Sequence, residues 1–393
     1  MLHLLRNVEL YDPAPQGPAH ILVAGESIVW IGAAAPTLPR TLGVEEHDLG
    51  GRRVVPGFID VHVHLTGGGG EAGPNTRVPP VLLSRLTRAG TTTAVGLLGT
   101  DDIVRTPAEL VTVARGLIAE GLSAYCWSGG YHLPPATVTG SVRGDLVLID
   151  LVVGVGEIAI SDHRSSQPSL DDLLKVAAEA HVGGLMSGKA GVLHLHLGEG
   201  ERGLALVRAA LDQSELPPAV FYPTHVNRKR ALWSEAMALA ERGCTVDVTA
   251  FPPSGDDDEW LAGEAIAQYL DAGLPPGRLT ASSDGGGCLP SFDVEGRVTA
   301  MDVGQPSALS ETMCWLLARG YPLERVLPVF TANPARVLRL ERKGRLAAGS
   351  DADLLVLDDR GGITDVMARG RWHLRDGVPI VRGTFEREGG GTT

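Results

Sequence analysis

Residues 57–63 read GFIDVHV, followed by His64. In an extended chain, positions two apart share a face, so His62 and His64 can point at one ion. Imidazole is a good ligand for zinc and related divalent metals. Taken alone, the pair is a weak signal, more often two hydrogen-bonded polar residues near a strand end. Its weight comes from its place as the first of eight similar runs.

Those runs are GFIDVHV, TTTAVGLL, SAYCWSG, VGVGEIAI, GVLHLHL, AVFYPTHV, CTVDVTAF and RLTASSD. Between them lie segments with helical periodicity, among them SRLTRAG, AELVTVARGLIAEG, LDDLLKVAAEA and ALWSEAMALAERG. Eight strands alternating with helices predict a (β/α)8 TIM-type barrel, in which chemistry sits at the C-terminal ends of the strands. A doubly wound open sheet is the competitor. The barrel is favoured because polar residues fall at the end of strand after strand. Residues 1–53 and 344–386 instead alternate and turn like short antiparallel strands. Neither flank could bury much surface alone, so the two are expected to form one small β-sandwich domain around a barrel spanning 54–343. The tail, 387–393, is expected to be disordered.

Bulk properties narrow the function. The 393 residues carry a formal charge of −13, which leaves no basic field for a nucleic-acid partner. Cys126, Cys244, Cys288 and Cys314 show no C-x-x-C spacing, so neither a disulfide framework nor a thiolate zinc site is suggested. MLHLLRNVELYD reads as a first strand rather than a signal peptide, and no apolar stretch could span a membrane. A cytoplasmic protein is the default expectation.

The strand ends offer more ligands. His196 closes the fifth run, His225 the sixth, and Asp284 the eighth. A lone histidine is more often structural, and His194 shares a face with His196, so only one of that pair need bind metal. Glu157 sits alone in the apolar run VGVGEIAI, and a buried carboxylate costs several kcal/mol unless a cation or donors compensate it. Four histidines and two carboxylates are what two neighbouring divalent ions require, which makes Glu157 a metal-facing residue.

VVPGFIDVHVH, the later strand-end histidines, SSD and the flank GSDADLLVLD together resemble the amidohydrolase superfamily. HLTGGGGEAGP, GLLGTD, GGYHLP, ISDHRSS, PTHVNR and SSDGGG are similar to its isoaspartyl dipeptidase branch, zinc enzymes that cleave β-aspartyl dipeptides. The resemblance implies two divalent metal ions, zinc first among the candidates, with His62, His64 and Asp284 at one and His196 and His225 at the other. It implies a hydroxide bridging the ions as nucleophile, Asp284 as general base and then acid, and Tyr131 donating to the oxyanion. From the residues alone, Tyr131 is an ordinary loop aromatic.

For a small zwitterionic dipeptide substrate, the resemblance assigns Glu71 to the α-ammonium. Gly69 and Thr100 would hold the α-carboxylate, and Arg164 and Arg228 the terminal carboxylate. Each arginine alone reads as a surface ion pair. A homo-oligomer is also implied. Two residues depart from the branch. Glu157 stands where the pattern has a lysine carboxylated by carbon dioxide, so no carboxylated lysine is expected, and its side chain is about three atoms, or roughly 3–4 Å, shorter. Cys288 replaces a serine near the α-carboxylate, and a thiol is the weaker donor. The rivals are an amidohydrolase acting on cyclic amides or N-acyl-D-amino acids, and a non-catalytic barrel scaffold. Redox or nucleotide-binding enzymes are disfavoured, because no glycine-rich stretch opens a helix directly after a strand, the setting a dinucleotide-binding loop requires.

Overall fold

The computed structural model describes residues 1–252, 258–293, 295 and 297–387. Of the tail expected to be disordered, all but Arg387 lies outside the described residues. All eight expected barrel strands are present: β1 (Phe58–Val63), β2 (Thr91–Gly96), β3 (Ser123–Ser128), β4 (Val152–Ile160), β5 (Val192–Leu197), β6 (Phe221–Thr224), β7 (Val246–Thr249) and β8 (Leu279–Ser282). The first six pair in parallel in chain order, and β7 pairs with β8. Bridges at the C-terminal ends close the ring: Val226 N–H donates to Asp247 O (3.4 Å), and His64 N–H to Gly285 O (2.9 Å). From inside the ring, the buried Asp247 carboxylate accepts the hydroxyls of Thr224, Thr280 and Ser282. It thereby ties β6, β7 and β8 together where the ladder is incomplete.

Helices between the strands start where local chemistry dictates. Pro107–Ala119 opens with Thr106 accepting from Glu109 N–H and a proline in its first turn. Leu170–Ser187 begins with a reciprocal Ser169–Asp172 capping box and ends at left-handed Gly188. Their apolar faces join the main core, to which Phe58, Leu86, Leu110, Leu173, Leu193, Trp233 and Phe330 belong. A separate buried cluster with Ile59, Val61, Val95, Trp127, Val153, Val192 and Tyr222 draws on six successive strands.

The chain ends form one nine-stranded sheet. Its long first strand, Leu2–Asp12, pairs with Ala14–Ala24, with Glu45–Asp48 and with Arg53–Pro56, and the last of these pairs with Leu354–Leu357. Residues 54–56, placed by sequence at the start of the barrel, thus pair within this sheet. Leu5, Ile21 and Val54 from one chain end share a core with Leu354, Met367 and Trp372 from the other. No helix among the described residues is long and apolar enough to cross a membrane.

Candidate active site

The ends of β1, β4, β5, β6 and β8 meet around Glu157. His62 Nε2 and His64 Nε2 each lie 3.5 Å from its carboxylate, His225 Nε2 3.4 Å and His196 Nδ1 3.0 Å. One fully buried side chain therefore reaches all four imidazoles. Its short reach is met by the backbone. Leu193 faces Val155 and Leu195 faces Ile158, so Gly156 and Glu157 together oppose His194 in a β-bulge. Gly156 permits this, because a Cβ there would lie 2.7 Å from both the Cβ and the carbonyl oxygen of His194. Two further ligand-type residues sit just past strand ends in the left-handed region, His225 at φ 61° and Asp284 at φ 52°. Asp284 Oδ1 lies 3.1 Å from His64 Nε2 and 3.5 Å from His62 Nε2.

These residues fit divalent ions. His62 Nε2, Glu157 Oε1 and Asp284 Oδ1 are buried and find no hydrogen-bond partner among the described residues, an arrangement that is costly unless something else satisfies them. Donor atoms 3.1–3.5 Å apart match the separation of about 3.4 Å expected for neighbouring ligands of a tetrahedral ion with bonds near 2.1 Å. His62, His64 and Asp284 form one such group, and His62, Glu157 and His225 another. Electrostatics agree. Burial opposes charge on His62, yet Glu157, Asp284 and Asp247 outweigh it and raise its pKa to about 9. A field that holds a proton on a buried imidazole also favours a cation in its place.

The tautomers can be followed outward. The Tyr222 carbonyl can only accept, so His194 Nδ1 donates to it (3.0 Å). Burial and the neighbouring His62 keep His194 uncharged, which leaves its Nε2 to accept from His62 Nδ1 (2.9 Å). That bond turns His62 Nε2 toward Glu157. His194, stacked on Trp127 at 4.7 Å, has both ring nitrogens committed, so of the His194–His196 pair only His196 keeps the place of a candidate ligand.

The surrounding cavity has a volume of about 710 Å³, within the range of small-molecule sites. Gly69, Glu71, Thr100, Tyr131, Arg164, Arg228 and Cys288 line it together with His64, Glu157, His196, His225 and Asp284. Tyr131 Oη lies 2.9 Å from His196 Nδ1, and burial followed by Glu157 holds its phenol well above the usual range, protonated and able to donate. Glu71 accepts from Thr100 (3.1 Å) and lies 3.5 Å from Arg164. Its buried Oε2 has no hydrogen-bond partner among the described residues. Burial and the carboxylates of Glu71 and Asp284 push the Cys288 thiol up to about 12, so it remains a thiol. Arg228 packs over Phe251 at 4.9 Å, with Glu199 at 3.9 Å. Arg164 differs from expectation in one respect: its Nε–NH2 edge is bonded to Asp162, so that edge is not offered to the cavity.

Three participants are absent from the sequence reading. Asp162 touches both His196 and Arg164; its signal was the D-x-R spacing inside ISDHRSS. Arg105 donates to the carbonyls of Thr66 (3.1 Å), Gly69 (3.5 Å) and Val78 (2.7 Å), pinning the glycine loop. Asp60 accepts from Ser283 and from the His62 backbone, holding β1 to the end of β8. A remote cluster in the terminal sheet, His3, Glu45 and His47, has ligand-type residues. There Arg375 donates to His47 Nδ1 at 3.2 Å, which takes the one lone pair a neutral imidazole has. Its Nε2–H is left facing His3 Nδ1 at 3.1 Å, so the ring has no lone pair to give an ion.

A model of the amidohydrolase family matches residues 53–373. The chain belongs to the amidohydrolase family. Within it, the fold is similar to the crystal structure of a β-aspartyl dipeptidase from Fervidobacterium islandicum AW-1 in complex with β-Asp-Leu dipeptide. That match has a TM-score of 0.90 and 41% identity, covering 96% of this chain and 98% of that one. An imidazolonepropionase from Ruegeria sp. is 26% identical over 86% of both chains. A dihydropyrimidinase from Brevibacillus agri, TM-score 0.67 and 15% identity over 98% of this chain and all of that one, shares the fold. This amidohydrolase therefore carries the barrel and the terminal β-sheet domain together, with a metal-binding cluster at the strand ends.

Proposed function

We propose that this amidohydrolase hydrolyses the isopeptide bond of β-aspartyl dipeptides. The observation that carries the reading is Glu71: a partly buried carboxylate whose Oε2 is buried and unpartnered among the described residues, opening on the same cavity as the candidate metal-ligand cluster. Such a group suits an ammonium. A β-aspartyl unit presents a free α-ammonium and α-carboxylate beside the scissile amide, and the leaving residue presents a second carboxylate. Glu71 pairs with the ammonium. The Gly69 amide, Thr100 and Cys288 bind the α-carboxylate, and Arg164 and Arg228 attract the terminal one. The 41% identity to a protein solved with β-Asp-Leu supports this assignment.

We assign two divalent ions, zinc first, to His62, His64, His196, His225, Glu157 and Asp284. Bound there, they would supply a nucleophilic water at neutral pH and polarise the scissile carbonyl. The chain's own residues do the rest. Asp284 Oδ1 faces His62 and His64, leaving Oδ2 to take the proton of the attacking water. Burial works against the charge on Asp284, but His64, His62 and His225 hold its carboxyl below the usual range, so it is an anion at neutral pH. It then returns the proton to the departing amine as the C–N bond breaks. The Tyr131 hydroxyl donates to the carbonyl oxygen as charge develops on it.

The test is turnover of β-Asp-Leu against α-Asp-Leu by zinc-replete protein. Cleavage of the β-linked peptide, with the α-linked one slower by at least about 100-fold, is expected: a misplaced ammonium and carboxylate each forfeit a charge-assisted bond. Hydrolysis of hydantoin with neither peptide cleaved would establish the cyclic-amide reading instead.

A further inference from the structure

Asp162 follows β4 directly after Ser161, whose backbone turns into the left-handed region at φ 52°. The turn is fixed from both sides: Ser161 Oγ donates to Gly200 O (2.7 Å) and accepts from Gly203 N–H (2.9 Å). The Asp162 carboxylate is thereby delivered against the loop after β5. Its Oδ2 accepts from His196 Nε2 at 3.0 Å and from Arg164 NH2 at 2.8 Å. Its Oδ1 accepts from Arg164 Nε at 3.1 Å and from the Arg164 backbone at 2.7 Å. The place is built for this side chain, since a Cβ on Gly198 would sit 2.4 Å from Asp162 Cβ and 2.5 Å from Oδ2. With Nε2 donating to Asp162, His196 presents an unprotonated Nδ1 toward Glu157, 3.0 Å away. The same carboxylate consumes one edge of the Arg164 fork, so the guanidinium lies over the Tyr131 ring with NH1 near Glu71.

We infer that Asp162 is a positioning residue that ties the His196 ligand to the substrate-facing Arg164, so that one carboxylate sets both the metal-facing tautomer and the aim of the arginine. The His196 arm stands on this geometry and the metal fit, whereas the Arg164 arm rests on the proposed dipeptidase reading. A carboxylate behind a ligating histidine typically contributes 10–100-fold to metal affinity. Asp162→Asn keeps the shape and can still accept from Arg164, but it turns an amide N–H toward His196 or loses the second acceptor.

The experiment titrates metal-free full-length protein with zinc alone by calorimetry, then measures KM and kcat for β-Asp-Leu at saturating zinc. Expected for Asp162→Asn is zinc affinity at one site lower by about 10–100-fold, with the melting temperature of the metal-free protein unchanged. KM should rise by roughly tenfold or more, with a smaller change in kcat. Gly198→Ala, which displaces the carboxylate without removing it, should weaken zinc in the same direction. Unchanged zinc affinity in both variants overturns the proposal, as does a variant that loses only thermal stability. Weakened zinc in a protein whose parent cleaves no β-aspartyl peptide would retire the dipeptidase reading and the Arg164 arm, while the His196 arm stands.

Discussion

Asp284→Asn should abolish turnover of β-Asp-Leu by about three orders of magnitude or more while the protein remains folded. Two effects combine. Loss of a positioned general acid–base costs about 10²–10⁴-fold, and the amide can neither take the proton at Oδ2 nor put a full charge beside His62 and His64. Asparagine tolerates the left-handed backbone at φ 52° better than most residues, so the fall cannot be charged to misfolding. Steady-state kcat with zinc content measured on the same sample checks it. Turnover within tenfold of the parent would remove Asp284 from the mechanism.

Glu157→Gln should do more to the metal site than to the substrate. The parent carboxylate is within 3.5 Å of all four imidazoles. Burial acts against its charge, but His62 and His196 hold its carboxyl well below the usual range, so it is an anion throughout the physiological span. Glutamine has the same length and no charge. It retains one carbonyl oxygen to offer a metal and turns an N–H toward imidazole nitrogens that need to stay free. Removing an outer-shell partner costs 10–100-fold in affinity. Removing the anion that both histidine pairs share should exceed that, with at least one ion lost at micromolar zinc and kcat down by about 10³ or more. Metal analysis after equilibrium dialysis reads the first effect directly. Retention of two ions by Glu157→Gln would show that the four histidines and Asp284 suffice.

Much of this was legible in the sequence, for definite reasons. The eight barrel strands announce themselves because buried parallel strands are short β-branched runs. The candidate ligand histidines stand out because a barrel exposes its chemistry at strand ends. What sequence could not supply was backbone detail. Nothing in VGVGEIAI marks the bulge at Gly156–Glu157, and without it a glutamate three atoms shorter than a carboxylated lysine looks too short. His225 and Asp284 lie in the left-handed region, which their residue types visit more than most but which no spacing in the sequence locates. His194 and His196 are indistinguishable by spacing, and only the Tyr222 carbonyl and the Glu157 contact separate the supporting ring from the proposed ligand. Arg164 reads as a free clamp until Asp162 is seen to hold its edge.

The substitution at Glu157 also bears on how the site is assembled. No lysine substitutes for it by position: Lys175 lies on the helix Leu170–Ser187, Lys189 donates to the carbonyls of Leu146 and Ile149, Lys229 to the carbonyl of Glu199, and Lys343 to Asp353 and Ser123. A built-in glutamate needs no carbon dioxide to become an anion. Its charge is present as soon as the barrel closes around it, so metal loading should depend on zinc and pH alone.

The most direct measurement is zinc stoichiometry together with β-Asp-Leu turnover, made on protein prepared in carbon-dioxide-depleted buffer and then again after adding bicarbonate. The account predicts two ions per chain and full activity before bicarbonate, with no change after it. A single ion, or activity that appears only once bicarbonate is supplied, would contradict the claim that Glu157 itself joins the two halves of the site.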